Sequence, residues 1–245
     1  MSLADVRRNF DRFAVLDADR DRGLGPHERA GLASLPRGLE RALDVGCGTG
    51  AVSRALSAQS RTVVGIDVST ETLALARRRT PRNAPVHFML ADAHSLPFSD
   101  SSFDCIVSVA TLHHLEAQHA LAEWVRVLRP GGSLLVIDVL ERPGLRHLPT
   151  NVVAWLAKQA SNLARSGSFR AARALHAFWR EHGREEHHPT LGEARAIYGR
   201  MLPGAAIRGH LMWRYSMRWQ RPSGGPGAAA GAGTVGLMDS GANPQ

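Results

Sequence analysis

An acidic side chain ahead of three alternating glycines is the feature of this chain that most directly suggests chemistry. In residues 43–50 (LDVGCGTG), Asp44 lies between an apolar run and a helical pattern. Glycine lets the backbone turn sharply and lets a ligand lie against bare amides. A loop of this kind between a strand and a helix binds nucleotide-like cofactors. Because a carboxylate repels a pyrophosphate but suits a cationic amino group, the loop favours S-adenosylmethionine over NAD.

Two further acids follow the next two apolar runs. Asp67 ends residues 63–67 (VVGID), where a carboxylate can accept both ribose hydroxyls of an adenosine. Asp92 ends the third run, where it can accept the adenine amino hydrogens while a neighbouring backbone amide donates to the ring. Each acid alone has a simpler interpretation: Asp67 or Thr70 can cap the following helix, and Asp92 can be a turn residue. Together and in this order, the acids indicate one adenosyl site.

A histidine pair follows the fourth apolar run. Residues 107–114 (VSVATLHH) change there from a strand to a loop, at the edge where open α/β sheets bind ligands. Imidazole has a pKa suited to general-base catalysis. His113 and His114 are therefore the candidate bases, with His113 preferred. The alternative is that one ring packs in the protein and the other faces solvent.

The elements that must position these residues alternate between apolar strands and helical patterns. Continuous apolar runs are typical of parallel strands buried on both faces, and their alternation with helices indicates a doubly wound sheet. The chain is therefore predicted to have an α/β, Rossmann-like fold. Strands are predicted at 43–45, 62–66, 86–90, 103–109 and 133–140, and helices at 51–58, 70–79 and 117–128.

The flanking segments follow other patterns. Residues 1–40 predict one or two helices that form an N-terminal lid segment, and residues 142–189 predict a cap insertion of two helices, 150–165 and 169–182. A helix at 190–201 then precedes two strands too close together for a parallel crossover, so they must form an antiparallel hairpin. The hairpin is predicted at 205–211 and 215–220, the main domain at 41–221, and a disordered tail at 222–245.

The composition limits the partners and the compartment. The net charge is +8, but the basic residues are nearly all arginine and are spread along the chain, so we expect solvated faces and no nucleic-acid partner. No apolar run is long enough to span a membrane, and the charged start lacks a signal region. Cys47 and Cys105 lie in apolar patterns, which favours a reduced, cytoplasmic setting. His182, His187 and His188 are irregularly spaced without cysteine, so we expect solvated loop residues and no metal.

The motifs in combination resemble the class I S-adenosylmethionine-dependent methyltransferases, in particular the small-molecule branch that includes ubiquinone and menaquinone biosynthesis enzymes. The resemblance implies a seven-stranded sheet whose last strand is antiparallel, and in-line methyl transfer to a small-molecule acceptor. The matching segments are residues 43–50, 64–69, 91–98 (ADAHSLPF), 102–104 and 128–132 (LRPGG). It implies cofactor contacts from Asp44, Gly46, Gly48, Asp67, Asp92 and Ala93, and the same loops add Cys47, Gly50, Val68 and Ala110.

Two other classes of protein stay open at this point. An NAD-dependent oxidoreductase is one, because residues 46–51 also satisfy the dinucleotide-binding pattern with alanine last. A non-catalytic module that binds the cofactor without turnover is the other. The abundance of arginine and alanine suggests a high-GC bacterium, in which acceptors from secondary metabolism are expected. The sequence leaves open the acceptor, the atom that is methylated and whether the chain forms a homodimer.

Overall fold

Apolar residues in the predicted runs form one seven-stranded sheet in the computed structural model, which describes residues 3–17, 23–141, 188–210 and 213–224. The strand order is β3-β2-β1-β4-β5-β7-β6. The strands are β1 (Leu39–Val45), β2 (Ser60–Asp67), β3 (Val86–Leu90), β4 (Phe103–Val109), β5 (Leu128–Val139), β6 (Ala206–His210) and β7 (Arg214–Gln220). The helices are α1 (Leu3–Asp17), α2 (Pro26–Ala33), α3 (Ala51–Leu56), α4 (Thr70–Arg79), α5 (Ala117–Val127) and α6 (Leu191–Met201).

The pairing of the strands confirms the predicted doubly wound fold. Strands β1 to β5 are parallel, whereas β7 runs antiparallel to both β5 and β6. The chain builds outward from β1 to β3 and then returns to the other side of β1 with β4. In open α/β sheets the crevice at such a reversal binds ligands at the carboxyl ends of the strands.

The predicted start of β5 is wrong. A strand was expected from residue 133, with the preceding proline and glycines ending the helix, but β5 begins at Leu128. Leu128 pairs with Phe103, and a register shift between Phe103 and Cys105 accommodates the irregular start, where Gly131 has a φ of 78°. Long-range pairing therefore extended a strand through residues that locally favour a turn.

Apolar clusters cover both faces of the sheet. One cluster joins the strands to α2 and α3, and the other joins them to α5 and α6. On the second face the Trp124 ring is completely buried, and its Nε1 donates to the carbonyl of Ala93 at 3.1 Å. Removing such a ring typically costs about 3–5 kcal/mol. This side chain therefore fixes the loop after β3 to the body of the protein.

Two predicted features lie outside the described residues. They are the cap helices at 150–165 and 169–182 and nearly all of the tail at 222–245. Among the helices that the structure describes, none has the length and hydropathy needed to cross a bilayer.

Candidate active site

The glycine loop after β1 turns through three left-handed residues. Gly46, Gly48 and Gly50 have φ values of 70°, 52° and 80°, a region in which side chains are strained. A Cβ on Gly46 would lie 2.1 Å from Oγ1 of Thr111, and one on Gly50 would lie 2.8 Å from the Phe88 ring. Around Gly48, no heavy atom of the described residues other than its chain neighbours lies within 4 Å of the Cβ position. The loop therefore packs tightly at its ends and leaves open space at its centre.

Asp67, at the end of β2, holds this loop through a hydrogen bond. One carboxylate oxygen accepts a hydrogen bond from the backbone N–H of Gly48 at 3.0 Å, and the other accepts from Ser69 at 2.9 Å. Burial raises the pKa of Asp67, these backbone hydrogen bonds oppose the rise, and the nearby Asp11 carboxylate adds to it. The backbone N–H of Val68 also opposes the rise in the pKa of Asp67. Because a carboxylate has about four acceptor sites, part of this capacity remains for a ligand. Val68, the next residue, is half-buried.

The residue that caps the helix after β2 is neither of the two candidates from the sequence. Ser69, rather than Asp67 or Thr70, is the N-cap of α4, and its Oγ accepts from the backbone N–H of Thr72 at 3.0 Å. The same hydroxyl donates to Oδ1 of Asp11 at 2.6 Å. The cap therefore also ties α1 to the end of β2.

Asp44 is buried beneath the glycine loop. Its Oδ2 accepts a hydrogen bond from the Ser53 hydroxyl of α3 at 2.5 Å. Burial raises the pKa of Asp44 to about 7, the Ser53 hydrogen bond opposes the rise, and Asp67 adds to it. Burial also raises the pKa of the Cys47 thiol well above its usual range. A cation at this site would therefore stabilise the ionised form of Asp44, and the Cys47 thiol stays protonated.

The loop after β3 places Asp92 beside the end of β2. Leu90 pairs with Asp67 in the register of the two strands, and the N–H of Ala91 donates to the Asp67 carbonyl at 3.1 Å. Asp92 follows directly, with its side chain about one-third exposed at 33%. Ala93 is buried, and its carbonyl is the group held by the Trp124 indole. Asp67 and Asp92 therefore occupy neighbouring strand ends, as predicted.

A strained turn delivers the histidine pair from the end of β4. Ala110 has a φ of 53°, which is uncommon for a residue with a side chain, and its N–H donates to the Ile137 carbonyl at 2.8 Å. The Thr111 hydroxyl then donates to the Val109 carbonyl at 3.1 Å, and a 3-10 turn follows (Leu112–His114). The turn brings both histidines back over the end of β5. Strain of this kind is frequent at functional sites.

His113 forms a buried pair with Asp138 of β5. The Nδ1 atom of His113 lies 2.6 Å from Oδ1 of Asp138, and the backbone N–H of His113 donates to Oδ2 at 3.0 Å. The two side chains are only 7% and 1% exposed. Burial acts to raise the pKa of Asp138, but His113 and the backbone donors outweigh it and lower that pKa. An ionised Asp138 therefore fixes the orientation of the imidazole.

Two tyrosines lie behind this pair. Tyr215 of β7 is directly opposite Asp138 in the strand register, and its ring stacks on that of Tyr198 at 6.0 Å. Burial and the Asp138 charge both raise the pKa of Tyr215, and the same two influences raise that of Tyr198. Both phenols consequently stay neutral beside the carboxylate.

Aromatic rings of other segments surround the histidine pair. The His114 ring lies 3.8 Å from that of His113 and meets the Phe10 ring of α1 edge to face at 5.3 Å. His188 is half-buried, with its ring 5.1 Å from that of His113, which corrects the expectation of a solvated loop residue. His182 and His187 lie outside the described residues.

Helix α1 joins the two halves of the site. Phe10 contacts His114, while the adjacent Asp11 accepts from Ser69 next to Asp67. Because consecutive residues of one helix reach both places, the histidines and the end of β2 border the same crevice. The glycine loop borders this crevice as well, because Gly46 lies against Thr111, two residues before His113.

Sequence reasoning missed several residues of this site. Asp138 had a visible signal, since it is an acid within the otherwise apolar run of residues 134–140. The sequence gives no signal for Ser53 and Thr111 except that each lies close to a motif. Phe10 and Asp11 lie on an amphipathic helix far along the chain, and only tertiary packing brings them to the crevice.

The residues present fit S-adenosylmethionine. The open space at Gly48 can admit a ligand against the backbone, and the buried Asp44 carboxylate suits the ammonium group of the methionine tail. Asp67 offers the acceptors that ribose hydroxyls require. Within the described segments, no cluster of three or more histidine, cysteine or acidic side chains has the geometry of a metal site.

Together, the fold and the site define a Rossmann-like, cofactor-dependent class of enzyme, and comparisons with known proteins identify the family. A methyltransferase domain model matches residues 43–136. An uncharacterized methyltransferase of Mycobacterium bovis is 31% identical over 194 residues, which cover 78% of this chain and 91% of that protein. The chain therefore belongs to the methyltransferase family and is an S-adenosylmethionine-dependent methyltransferase. This favours methyl transfer over the oxidoreductase that the glycine pattern left open.

Other known proteins resemble parts of the chain. A demethylmenaquinone methyltransferase of Clavibacter sepedonicus is 39% identical over 112 residues, or 45% of this chain and 46% of that enzyme. The crystal structure of a SAM-dependent methyltransferase from Aquifex aeolicus superposes with a TM-score of 0.53 at 17% identity, covering 90% of this chain and 98% of that one. This structural likeness supports the fold.

Proposed function

We propose that this enzyme methylates a small-molecule acceptor that must lose a proton, with His113 as the general base. The observation that carries the proposal is the buried contact of 2.6 Å between His113 Nδ1 and Asp138 Oδ1. The pair borders the same crevice as the glycine loop and Asp67. A base at this edge of the sheet is therefore close to the region where the cofactor would bind.

The cofactor would be held by the three acids and the glycine loop. Asp67 would accept the ribose hydroxyls, Asp92 the adenine amino group, and Asp44 would face the ammonium group of the methionine tail. This assignment is supported by the adjacent strand ends of Asp67 and Asp92 and by the buried, cation-free carboxylate of Asp44 among the described residues. When bound, S-adenosylmethionine supplies a methyl group on a positively charged sulfur, already activated for displacement.

The imidazole of His113 has the arrangement of a general base. A hydrogen bond from Nδ1–H to Asp138 places the basic lone pair on Nε2, which can remove a proton from an acceptor hydroxyl. The ionised Asp138 then stabilises the imidazolium that forms. General-base catalysis typically contributes about 10²–10⁴ in rate, and orientation of the acceptor in the crevice adds further acceleration. A small-molecule acceptor from secondary metabolism is consistent with this chemistry.

Two variants test the cofactor site and the base separately. Asp67→Ala should abolish binding of S-adenosylhomocysteine in calorimetry, because the ribose hydroxyls lose their acceptor. His113→Ala should keep that binding and lower the transfer of a labelled methyl group to a small-molecule extract of the producing cell by about 10²–10⁴. His87→Ala removes an exposed imidazole from β3 and serves as the control. If His113→Ala and His114→Ala both leave the rate unchanged, the base assignment fails and catalysis is by proximity alone.

A further inference from the structure

His94 connects the candidate adenine-binding residue to the start of α5. Its Nδ1 lies 3.0 Å from Oδ1 of Asp92, and its Nε2 lies 3.0 Å from the backbone nitrogen of Glu116. Because a backbone N–H can only donate, Nε2 must carry a lone pair, which places the hydrogen on Nδ1 and directs it to the carboxylate. The two contacts therefore fix the ring in one tautomer and one orientation.

The two oxygens of Asp92 differ in their surroundings. Oδ1 accepts from the backbone N–H of His94 at 2.9 Å as well as from the ring, so both of its lone pairs are used. In the part of the chain that the structure describes, no group donates a hydrogen bond to Oδ2. Oδ2 is therefore the atom left to accept a hydrogen bond from a ligand.

The other end of the connection is rigid. Glu116 is the N-cap of α5, and its carboxylate accepts from the backbone N–H groups of Gln118 and His119 at 3.1 and 2.9 Å. These hydrogen bonds hold the backbone of Glu116 in place. His94 thus links a helix terminus to a carboxylate that is one-third exposed. Its ring adds a second hydrogen bond to the one that its backbone N–H gives Asp92.

We infer that His94 is a positioning residue that orients Asp92 so that Oδ2 accepts the adenine amino group of the bound cofactor. The inference rests on the proposed contact between Asp92 and adenine. It assigns to His94 a part in cofactor affinity without contact to the cofactor. Replacing His94 should then weaken only those ligands that carry the adenine amino group. If His94 had a merely structural role, its replacement would weaken binding with or without that amino group.

Binding of two ligands to the full-length enzyme provides the test. One is S-adenosylhomocysteine, and the other is its analogue with hydrogen in place of the adenine amino group. His94→Ala should weaken the first ligand about tenfold, the loss expected for a charge-assisted hydrogen bond that is no longer aligned. The same variant should change the affinity for the amino-free analogue by less than about twofold, since that ligand makes no use of Asp92.

Conservative variants identify the ring atom responsible. In His94→Asn the amide nitrogen takes the place of Nδ1, can still donate to Asp92 and should restore most of the affinity. In His94→Gln the amide reaches toward Glu116 instead and should not restore it. His119→Ala is the matched control, because this exposed imidazole also contacts Glu116, at 3.1 Å, but makes no contact with Asp92.

Each result supports or overturns the inference. Loss confined to the ligand with the amino group, rescued by asparagine, supports it. Equal loss for both ligands in His94→Ala, or the same loss in His119→Ala, shows a structural role only and overturns it. If the wild-type enzyme binds both ligands equally well, Asp92 does not contact the amino group. The proposed adenine contact and the role inferred for His94 are then both wrong. If neither ligand binds, the proposed site as a whole is wrong.

Discussion

Asp138→Asn is the change that most directly tests the proposed catalytic pair. The Asp138 carboxylate accepts three hydrogen bonds: two from His113 and one from the backbone N–H of Val139 at 2.8 Å. Asparagine keeps the shape but replaces one acceptor oxygen with an NH₂ donor. At least one of the three donors must then face another donor.

The cost in stability follows from this mismatch. Hydrogen bonds to a charged group contribute about 1.5–3 kcal/mol each, so the folded state should lose roughly that amount. For a chain of this size the loss lowers the melting temperature by roughly 3–12 °C. Since the surroundings lower the pKa of Asp138, they favour its ionised form, and a neutral isostere loses that stabilisation.

The pH dependence has a definite sign. Folding lowers the pKa of Asp138, so its contribution to stability is present above the ordinary value of 3.8 and is lost as the pH falls through the lower, folded value. The stability difference between the wild type and Asp138→Asn should therefore be full at neutral pH and should shrink in acid. Thermal unfolding between pH 7 and acid pH measures it.

The cost in activity comes from the tautomer. If the asparagine NH₂ donates to His113 Nδ1, the ring proton moves to Nε2 and the basic lone pair is lost. The methyl-transfer rate should fall by about 10²–10⁴, while S-adenosylhomocysteine should still bind. Long-range proton–nitrogen spectra of protein with labelled histidine report the tautomer directly, without knowledge of the acceptor.

A paired carboxylate near the start of β4, Asp104, provides the control. Asp104 accepts from the backbone N–H of Arg41 at 2.8 Å and from Arg129 at 2.6 Å, so Asp104→Asn also removes a paired charge. It should lose stability but keep the methyl-transfer rate. If Asp138→Asn also keeps the rate and the His113 tautomer, the reasoning about the pair is refuted.

Two further substitutions test the glycine loop and the acid beneath it. Asp44→Asn should stabilise the cofactor-free protein by up to about 4 kcal/mol at pH 8 and weaken S-adenosylhomocysteine binding, because folding raises this pKa from 3.8 to about 7 and disfavours the ionised form. Thermal unfolding should show that this gain in stability vanishes below about pH 4. A gain that does not depend on pH would contradict the explanation from the raised pKa of Asp44. Gly46→Ala should destabilise by about 2–5 kcal/mol in urea, with partial recovery when Thr111→Ala is added, because its Cβ would lie 2.1 Å from Thr111 Oγ1. Equal destabilisation with and without Thr111→Ala would refute the steric explanation.

Sequence reasoning succeeded where the physical signal was local. The apolar runs of β2 and β4 identified buried parallel strands, and the positions of Asp67 and Asp92 after such runs placed both at one sheet edge. It failed where pairing decided the outcome. The start of β5 depends on its partner in β4, and no property of residues 128–132 alone indicates a strand.

The partner of His113 could not be predicted for a related reason. An acid within an apolar run is visible in the sequence, but the contact requires the register of β4 and β5, in which Val109 pairs with Ile137. It also requires the left-handed turn at Ala110, which brings the histidine back over Asp138. A non-glycine residue in that conformation gives no signal in a single sequence.

The strand order explains how distant segments come to share one crevice. The strands β1 to β3 carry the acids assigned to the cofactor, and β4 and β5 carry the assigned base and its partner. Because the chain reverses between these two groups, the loops after β1 and β4 are neighbours, and a Cβ on Gly46 would collide with Thr111. Changes in β5 can therefore alter the assigned base without disturbing the acids that are proposed to hold the cofactor.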